Sequence, residues 1–155
     1  MISKVTPEIM AADATALLSY LSERPEVRGQ TFGTTGYCMG ARISLVVAGR
    51  VPDRVAAAMS FHAGGLATDD PGSPHLLADR MQAAVYVGAA KNDKSFTTAD
   101  GTALDNALTE AGVEHTIDFY PAFHGSAVPD NGPYYEPAAR HHWGAMESFF
   151  ATHLR

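Results

Sequence analysis

Gly36-Tyr37-Cys38-Met39-Gly40 is the stretch that decides the fold. Before it, Gln30 to Thr35 reads as a strand. After it, Met39 to Gly49 reads as a mostly apolar helix, ended by Gly49 and Pro52. A cysteine therefore sits at a strand-to-helix turn with a glycine two residues to either side. Crowding is the physical reason for such spacing. A sharp turn holds its central residue in a strained backbone conformation, and the residues two away must be small for strand and helix to approach. The turn lifts the thiol to the mouth of the sheet and sets it at a helix N-terminus, where the dipole favours the thiolate. Cys38 is thus a candidate nucleophile on a nucleophile elbow.

Outward from the elbow, strand and helix patterns alternate. Thr6 to Ser22 reads as a helix with Thr6 as N-cap, Pro7 at the first helical position and Glu8 in the first turn. Ile9, Met10, Ala14, Leu17, Leu18 and Leu21 recur along it at helical spacing. Val55 to Phe61 reads as a short buried strand, although its alanines weaken the strand propensity. His62 to Pro74 is a loop by its Gly-Gly, Asp-Asp-Pro-Gly and Ser-Pro signals. Ala83 to Val87 is a strand, Thr98 to Ala111 a helix closed by Gly112, and Glu114 to Tyr120 a strand. Glu136 to Leu154 is the last helix, with Ala139, Trp143, Met146, Phe149 and Phe150 on one side. Alternation of this kind implies an α/β fold: a mainly parallel sheet of about four strands flanked by helices. Sites in such sheets lie beyond the carboxyl ends of the strands. Cys38, Asp93 and His124 each follow a strand directly, so all three are expected on one edge.

Bulk properties narrow the function. The 155 residues suit a single domain, residues 1–155, with 46% hydrophobic and 18% charged residues. A net charge of −6 without a Lys/Arg cluster argues against nucleic-acid binding. The single cysteine excludes an internal disulfide and a multi-cysteine metal site. His141 and His142 lack the i, i+4 spacing of a zinc-binding pair and read as packing or surface residues. No metal and no cofactor is implied. The start, Met1 to Pro7, does not read as a secretory signal, and no run reaches the ~18 apolar residues of a membrane span. A cytoplasmic protein without membrane contact is the expectation.

A thiol nucleophile needs a base, and the base needs an orienting group. The chain supplies Cys38, then Asp93, then His124, the nucleophile–acid–histidine order of an α/β-hydrolase. Asp100 and Asp118 are rivals for the acid, but one starts a helix and the other lies within a strand. The chain resembles the dienelactone hydrolase (carboxymethylenebutenolidase-like) family of that superfamily. The resemblance rests on the elbow, Pro52-Asp53-Arg54-Val55-Ala56-Ala57, Asn92-Asp93-Lys94-Ser95, His124-Gly125-Ser126-Ala127-Val128-Pro129-Asp130, and Ala138-Ala139-Arg140-His141-His142-Trp143. It implies a cysteine-dependent hydrolase of a small ester or lactone. Cys38 would attack the carbonyl carbon, His124 would move the proton, Asp93 would orient His124, and a thioester acyl-enzyme would follow. The Met39 backbone N–H would be one oxyanion donor. Tyr37 and His62 are candidate substrate contacts, His62 having a structural role as its alternative. Arg42, just after the elbow, reads as structural, and Tyr134 and Tyr135 as residues that fold over the site.

The resemblance also implies departures. It covers only the C-terminal part of the family fold, so the strands that would precede Thr6 have no counterpart. The second oxyanion donor, and a glutamate that pairs with the resting cysteine, belong to that part. Val128 stands where dienelactone-cleaving members carry an arginine, which argues against dienelactone itself. Ala41 stands where a glycine often follows the elbow. The elbow strand is expected at a sheet edge, where an uncovered strand is a pairing hazard. A homodimer partner or a companion chain is expected to cover it. The alternative function is a truncated or degenerate hydrolase fold acting as a non-catalytic subunit or interaction module.

Overall fold

The computed structural model describes residues 5–154; Met1–Lys4, and with them most of the stretch read as lacking a secretory signal, lie outside the described residues, as does Arg155. Eight principal elements follow in order: α1 Pro7–Ser22, β1 Phe32–Tyr37, α2 Met39–Arg50, β2 Val55–Phe61, β3 Ala84–Ala90, α3 Thr98–Glu110, β4 His115–Tyr120 and α4 Glu136–His153. The four strands form one sheet in the order β1-β2-β3-β4, and every neighbouring pair is parallel. β1 is thus an edge strand of the described sheet, as expected.

Two clusters of side chains sandwich the sheet. On one face Leu45, Val46 and Ala48 of α2 and Leu104 and Leu108 of α3 pack with Ala58, Val85 and Val87. On the other face Met146, Phe149 and Phe150 of α4 cover Met59, Phe61 and Tyr86. Central position explains why the alanine-rich β2 forms despite weak propensity: Ala57 and Ala58 are fully buried, and β2 pairs on both sides.

Several boundaries shift from the sequence reading. β1 runs Phe32–Tyr37 rather than Gln30–Thr35, because pairing with Val55–Phe61 carries it into the elbow itself. β3 extends to Ala90, continuing its pairing with β4. Pro74–Arg80, which sequence patterning leaves unassigned beyond Pro74, forms a 3₁₀ segment whose Leu77 packs beneath Gly49 of α2. In α1 only Met10 and Leu18 are buried, while Ile9 and Leu17 face outward. In α4 the inward position falls to His142, fully buried, and Trp143 is 52% exposed, the reverse of the expected side.

The N-terminal caps agree with the local chemistry. The Thr6 hydroxyl accepts the Ile9 N–H, and Thr97 and Asp100 form a reciprocal capping box on α3. Asp100 is therefore occupied in capping. No helix among the described residues is long and apolar enough to cross a membrane.

Candidate active site

Cys38 sits between β1 and α2 with φ 55° and ψ −116°, a left-handed conformation that costs energy in a residue with a side chain. Its N–H still bonds the Phe61 carbonyl at 3.1 Å, so β2 holds the chain while it turns. Gly36 makes the turn possible. A Cβ there would lie 2.2 Å from both the carbonyl carbon and the oxygen of Gly40. Gly40 has nothing within 4 Å of the corresponding point. Crowding therefore constrains the glycine before the cysteine and not the one after it. The thiol is exposed, and it makes no capping hydrogen bond to α2. Met39 opens α2, so its backbone N–H belongs to the first turn, whose donors have no partner within the helix.

Asp93 and His124, from the loops after β3 and β4, meet at the same edge. Asp93 Oδ2 and His124 Nδ1 are 2.6 Å apart. The other carboxylate oxygen, Oδ1, accepts the Ser95 N–H at 2.9 Å and the Ser95 hydroxyl at 2.5 Å. Burial pushes the Asp93 carboxyl upward, but the hydrogen bonds from Ser95 and His124 outweigh it and hold the group below the ordinary carboxylate range. An ionised carboxylate only accepts, so Nδ1 of His124 carries the proton and Nε2 is the basic atom of the ring. The Asp93 side chain is only 4% exposed while that of His124 is 40% exposed, so the acid is shielded and the base is open. The one side-chain hydrogen bond of His124 is to Asp93, not to Cys38.

His62 lies between the elbow and His124. Its ring is 4.9 Å from that of His124 and 5.7 Å from that of Tyr37, centroid to centroid. It is buried, and neither ring nitrogen has a hydrogen-bond partner. Burial, then the neighbouring His124, pushes its imidazole below the ordinary histidine range, so the ring is neutral.

Sequence reasoning missed one site contact. The Tyr37 hydroxyl, inside the elbow motif, pairs with Nε2 of His142 at 2.7 Å. His142 also packs edge-on against Phe61, 4.2 Å between centroids. Burial pushes the His142 imidazole down and the Tyr37 phenol up, so both stay uncharged. α4 is thereby fastened to the residue beside Cys38. A signal existed: His142 falls three residues after Ala139 and four before Met146, on the buried stripe.

The remaining residues singled out from sequence lie elsewhere. Arg42 bonds the carbonyls of Gly65 at 3.2 Å and Gly72 at 3.0 Å, fastening the loop after β2 to α2. Asp118 accepts from Tyr86 and pairs with His141, away from His124. Tyr135 lines a cavity of about 300 Å³ beside Asp118 and His141 rather than the His124 site. Among the described residues, no group of three or more His, Cys, Asp or Glu side chains is placed to hold a metal ion.

Parallel strands covered by helices on both faces, with an elbow cysteine followed by an Asp–His pair, define an α/β-hydrolase fold. Comparison with known proteins makes the assignment narrower. The chain belongs to the dienelactone hydrolase family, which it matches over residues 1–154. A Synechocystis protein named for carboxymethylenebutenolidase is 30% identical over 148 residues, covering 93% of this chain and 59% of that protein. A crystal structure described as a dienelactone hydrolase from Klebsiella pneumoniae superposes with a TM-score of 0.88 at 25% identity, over 97% of this chain and 64% of the other. The dienelactone hydrolase-like promiscuous phosphotriesterase P91, from metagenomic libraries, shares the fold with a TM-score of 0.81 at 24% identity, over 94% and 62%. This chain thus spans about three-fifths of the length of these relatives.

Proposed function

We propose that the chain carries the catalytic half of a cysteine hydrolase acting on a small ester or lactone. The observation that carries this reading is the short bond between His124 and the shielded Asp93 carboxylate, at the strand-end edge where β1 presents Cys38. His124 Nε2 takes the Cys38 proton. The thiolate attacks the carbonyl carbon, a C–S bond forms, and the carbonyl electron pair moves to oxygen. The oxyanion is met by the Met39 N–H. Its collapse breaks the C–O bond, and the leaving alkoxide takes the proton from His124. Water, deprotonated by His124, then attacks the thioester; the C–S bond breaks, the acid is released, and the His124 imidazolium returns its proton to the Cys38 thiolate. In a lactone the alkoxide and acyl groups belong to one molecule. Asp93 stabilises the imidazolium that forms in each half-reaction.

β1 pairs with β2 alone among the described residues. We place the second oxyanion donor on the polypeptide that covers this open edge, either a second copy of the chain or a companion chain. Cytoplasmic reducing conditions would keep Cys38 a free thiol.

The test is hydrolysis of a small activated ester by the chain and by Cys38→Ala. The variant should lose all thiol-dependent turnover, and mass spectrometry of the wild type should show a transient acyl adduct on Cys38. Equal hydrolysis with and without Cys38 refutes the mechanism. A folded wild-type chain that neither hydrolyses nor acylates supports the non-catalytic module instead.

A further inference from the structure

We propose that His62 is a positioning residue, holding the His124 ring in line with the Asp93 carboxylate by ring-on-ring packing. The proposal rests on the hydrolase reading above and deepens it.

His124 sits on a loop, half open to solvent, and its one side-chain hydrogen bond runs through Nδ1. A single bond fixes one atom of a ring. The ring can still swing about that atom, and a swing displaces Nε2, the atom the chemistry needs. His62 supplies the missing wall. The two rings meet edge to face at 64°. Such contacts shift a population by roughly 2- to 13-fold.

The backbone fixes where that wall stands. His62 has φ 40°, and besides Cys38 it is the only non-glycine described with positive φ. Its N–H bonds the Gly88 carbonyl at 2.8 Å. Cys38 and His62 therefore share one device: each leaves the end of its strand in a left-handed turn while its N–H stays bonded to the next strand. Strain of this kind persists where the surrounding structure over-determines it.

The ring nitrogens take no part in this. Both are buried and without a hydrogen-bond partner, so packing and backbone alone locate the ring. The titratable groups around His62 are His124 and Asp93 from the loops after β4 and β3, Tyr37 from β1 and His142 from α4. An uncharged His62 adds no repulsion when His124 becomes an imidazolium.

The experiment compares the chain with its His62→Ala and His62→Phe variants. Proton NMR in water reads the His124 Nδ1–H signal, which needs no turnover. Steady-state kinetics on an activated ester read kcat and KM separately. His62→Ala should broaden or abolish the Nδ1–H signal and lower kcat roughly 2- to 13-fold with KM within about twofold. His62→Phe, which keeps a ring of similar shape, should recover the signal and most of kcat. An unchanged Nδ1–H signal in His62→Ala overturns the proposal. So does a His62→Phe variant as impaired as His62→Ala. If the wild type hydrolyses no ester, the NMR comparison still decides, so failure of the hydrolase reading is separable from failure of this one.

Discussion

Replacing Gly36 with alanine should be far more damaging than the same change at Gly40, although the two glycines flank Cys38 symmetrically. A Cβ at Gly36 would stand 2.2 Å from the Gly40 carbonyl, whereas ordinary contact begins near 3.4 Å. The obstacle is backbone, so no side chain can rotate away. The first turn of α2 must retreat, and α2 is not free to do so, because Ala41, Leu45, Val46 and Ala48 are fully buried against the sheet. Overpacking into a rigid surround costs about 1–3 kcal/mol, and a backbone obstacle belongs at the upper end. Near 3 kcal/mol, the thermal midpoint of a domain of this size falls by roughly 6–12 °C. Gly40 lies within a helix with open space around its missing Cβ. There alanine removes the helix penalty of glycine, a gain of about 0.5–1 kcal/mol, so Gly40→Ala should melt at or a few degrees above the wild type. Thermal unfolding followed by circular dichroism measures both. Equal midpoints for the two variants would show that the close approach of strand and helix is not what Gly36 serves.

Two further outcomes follow from buried polar groups. Tyr37→Phe leaves His142 Nε2 buried without its 2.7 Å partner and should cost about 1–3 kcal/mol in urea unfolding; combining it with His142→Phe should cost less than the sum of the separate changes, and strict additivity would mean that the pair is not coupled. His62 and His142 both have folded pKa values below their unfolded one, chiefly through burial. Below about pH 6.5 the unfolded chain binds protons that the folded chain does not, so stability should fall as pH drops, by up to about 1.4 kcal/mol per pH unit for each histidine. Asp93, also lowered, adds its loss only when pH falls through its own depressed pKa. Urea midpoints between pH 7.5 and 5 should show this slope, and His62→Phe should flatten it; an unaltered slope in that variant would remove His62 from the explanation.

Much of the site was legible because its parts obey local rules. A cysteine between glycines at a strand-to-helix turn, and an aspartate and a histidine each directly after a later strand, need only chain order and parallel pairing to be brought to one edge. The bond between Asp93 and His124 follows from that placement. Capping at Thr6 was legible for the same reason, since its hydroxyl acts on a residue three away. What escaped notice was non-local. The Tyr37–His142 bond spans 105 positions; the stripe from Ala139 to Met146 turns His142 inward but does not name its partner. Hydropathy places Trp143 inward and His142 outward, yet a histidine with a half-buried phenol to bond is cheaper to enclose than its hydropathy suggests. The shift of β1 by two residues has a similar origin. Gly36 carries weak strand propensity, and the pairing of Thr35-Gly36-Tyr37 with Met59-Ser60-Phe61 overrides that.

The two left-handed residues show which strands carry the site. Cys38 is pinned to Phe61 of β2, and His62 is pinned to Gly88 of β3. Asp93 follows β3, and the loop that carries it is tied to β4 and beyond by Lys91 N–H to Tyr120 and Asn92 N–H to Ala122. Each strand end is thus held by the next strand in the order β1 to β4, and the chain of support runs away from the open edge of β1. The strain at Cys38 and the bond between Asp93 and His124 are maintained within residues 32–124, with α4 locking Tyr37 from the other face. Any polypeptide proposed to cover the open edge of β1 therefore has a narrower task than shaping the turn at Cys38. In the proposed reaction it supplies the second donor to the oxyanion, and removing one such donor from a hydrolase has cost roughly 10²–10³ in rate. A partner on that edge should accordingly raise both the rate of Cys38 acylation and kcat, without altering the protection of the Asp93–His124 bond.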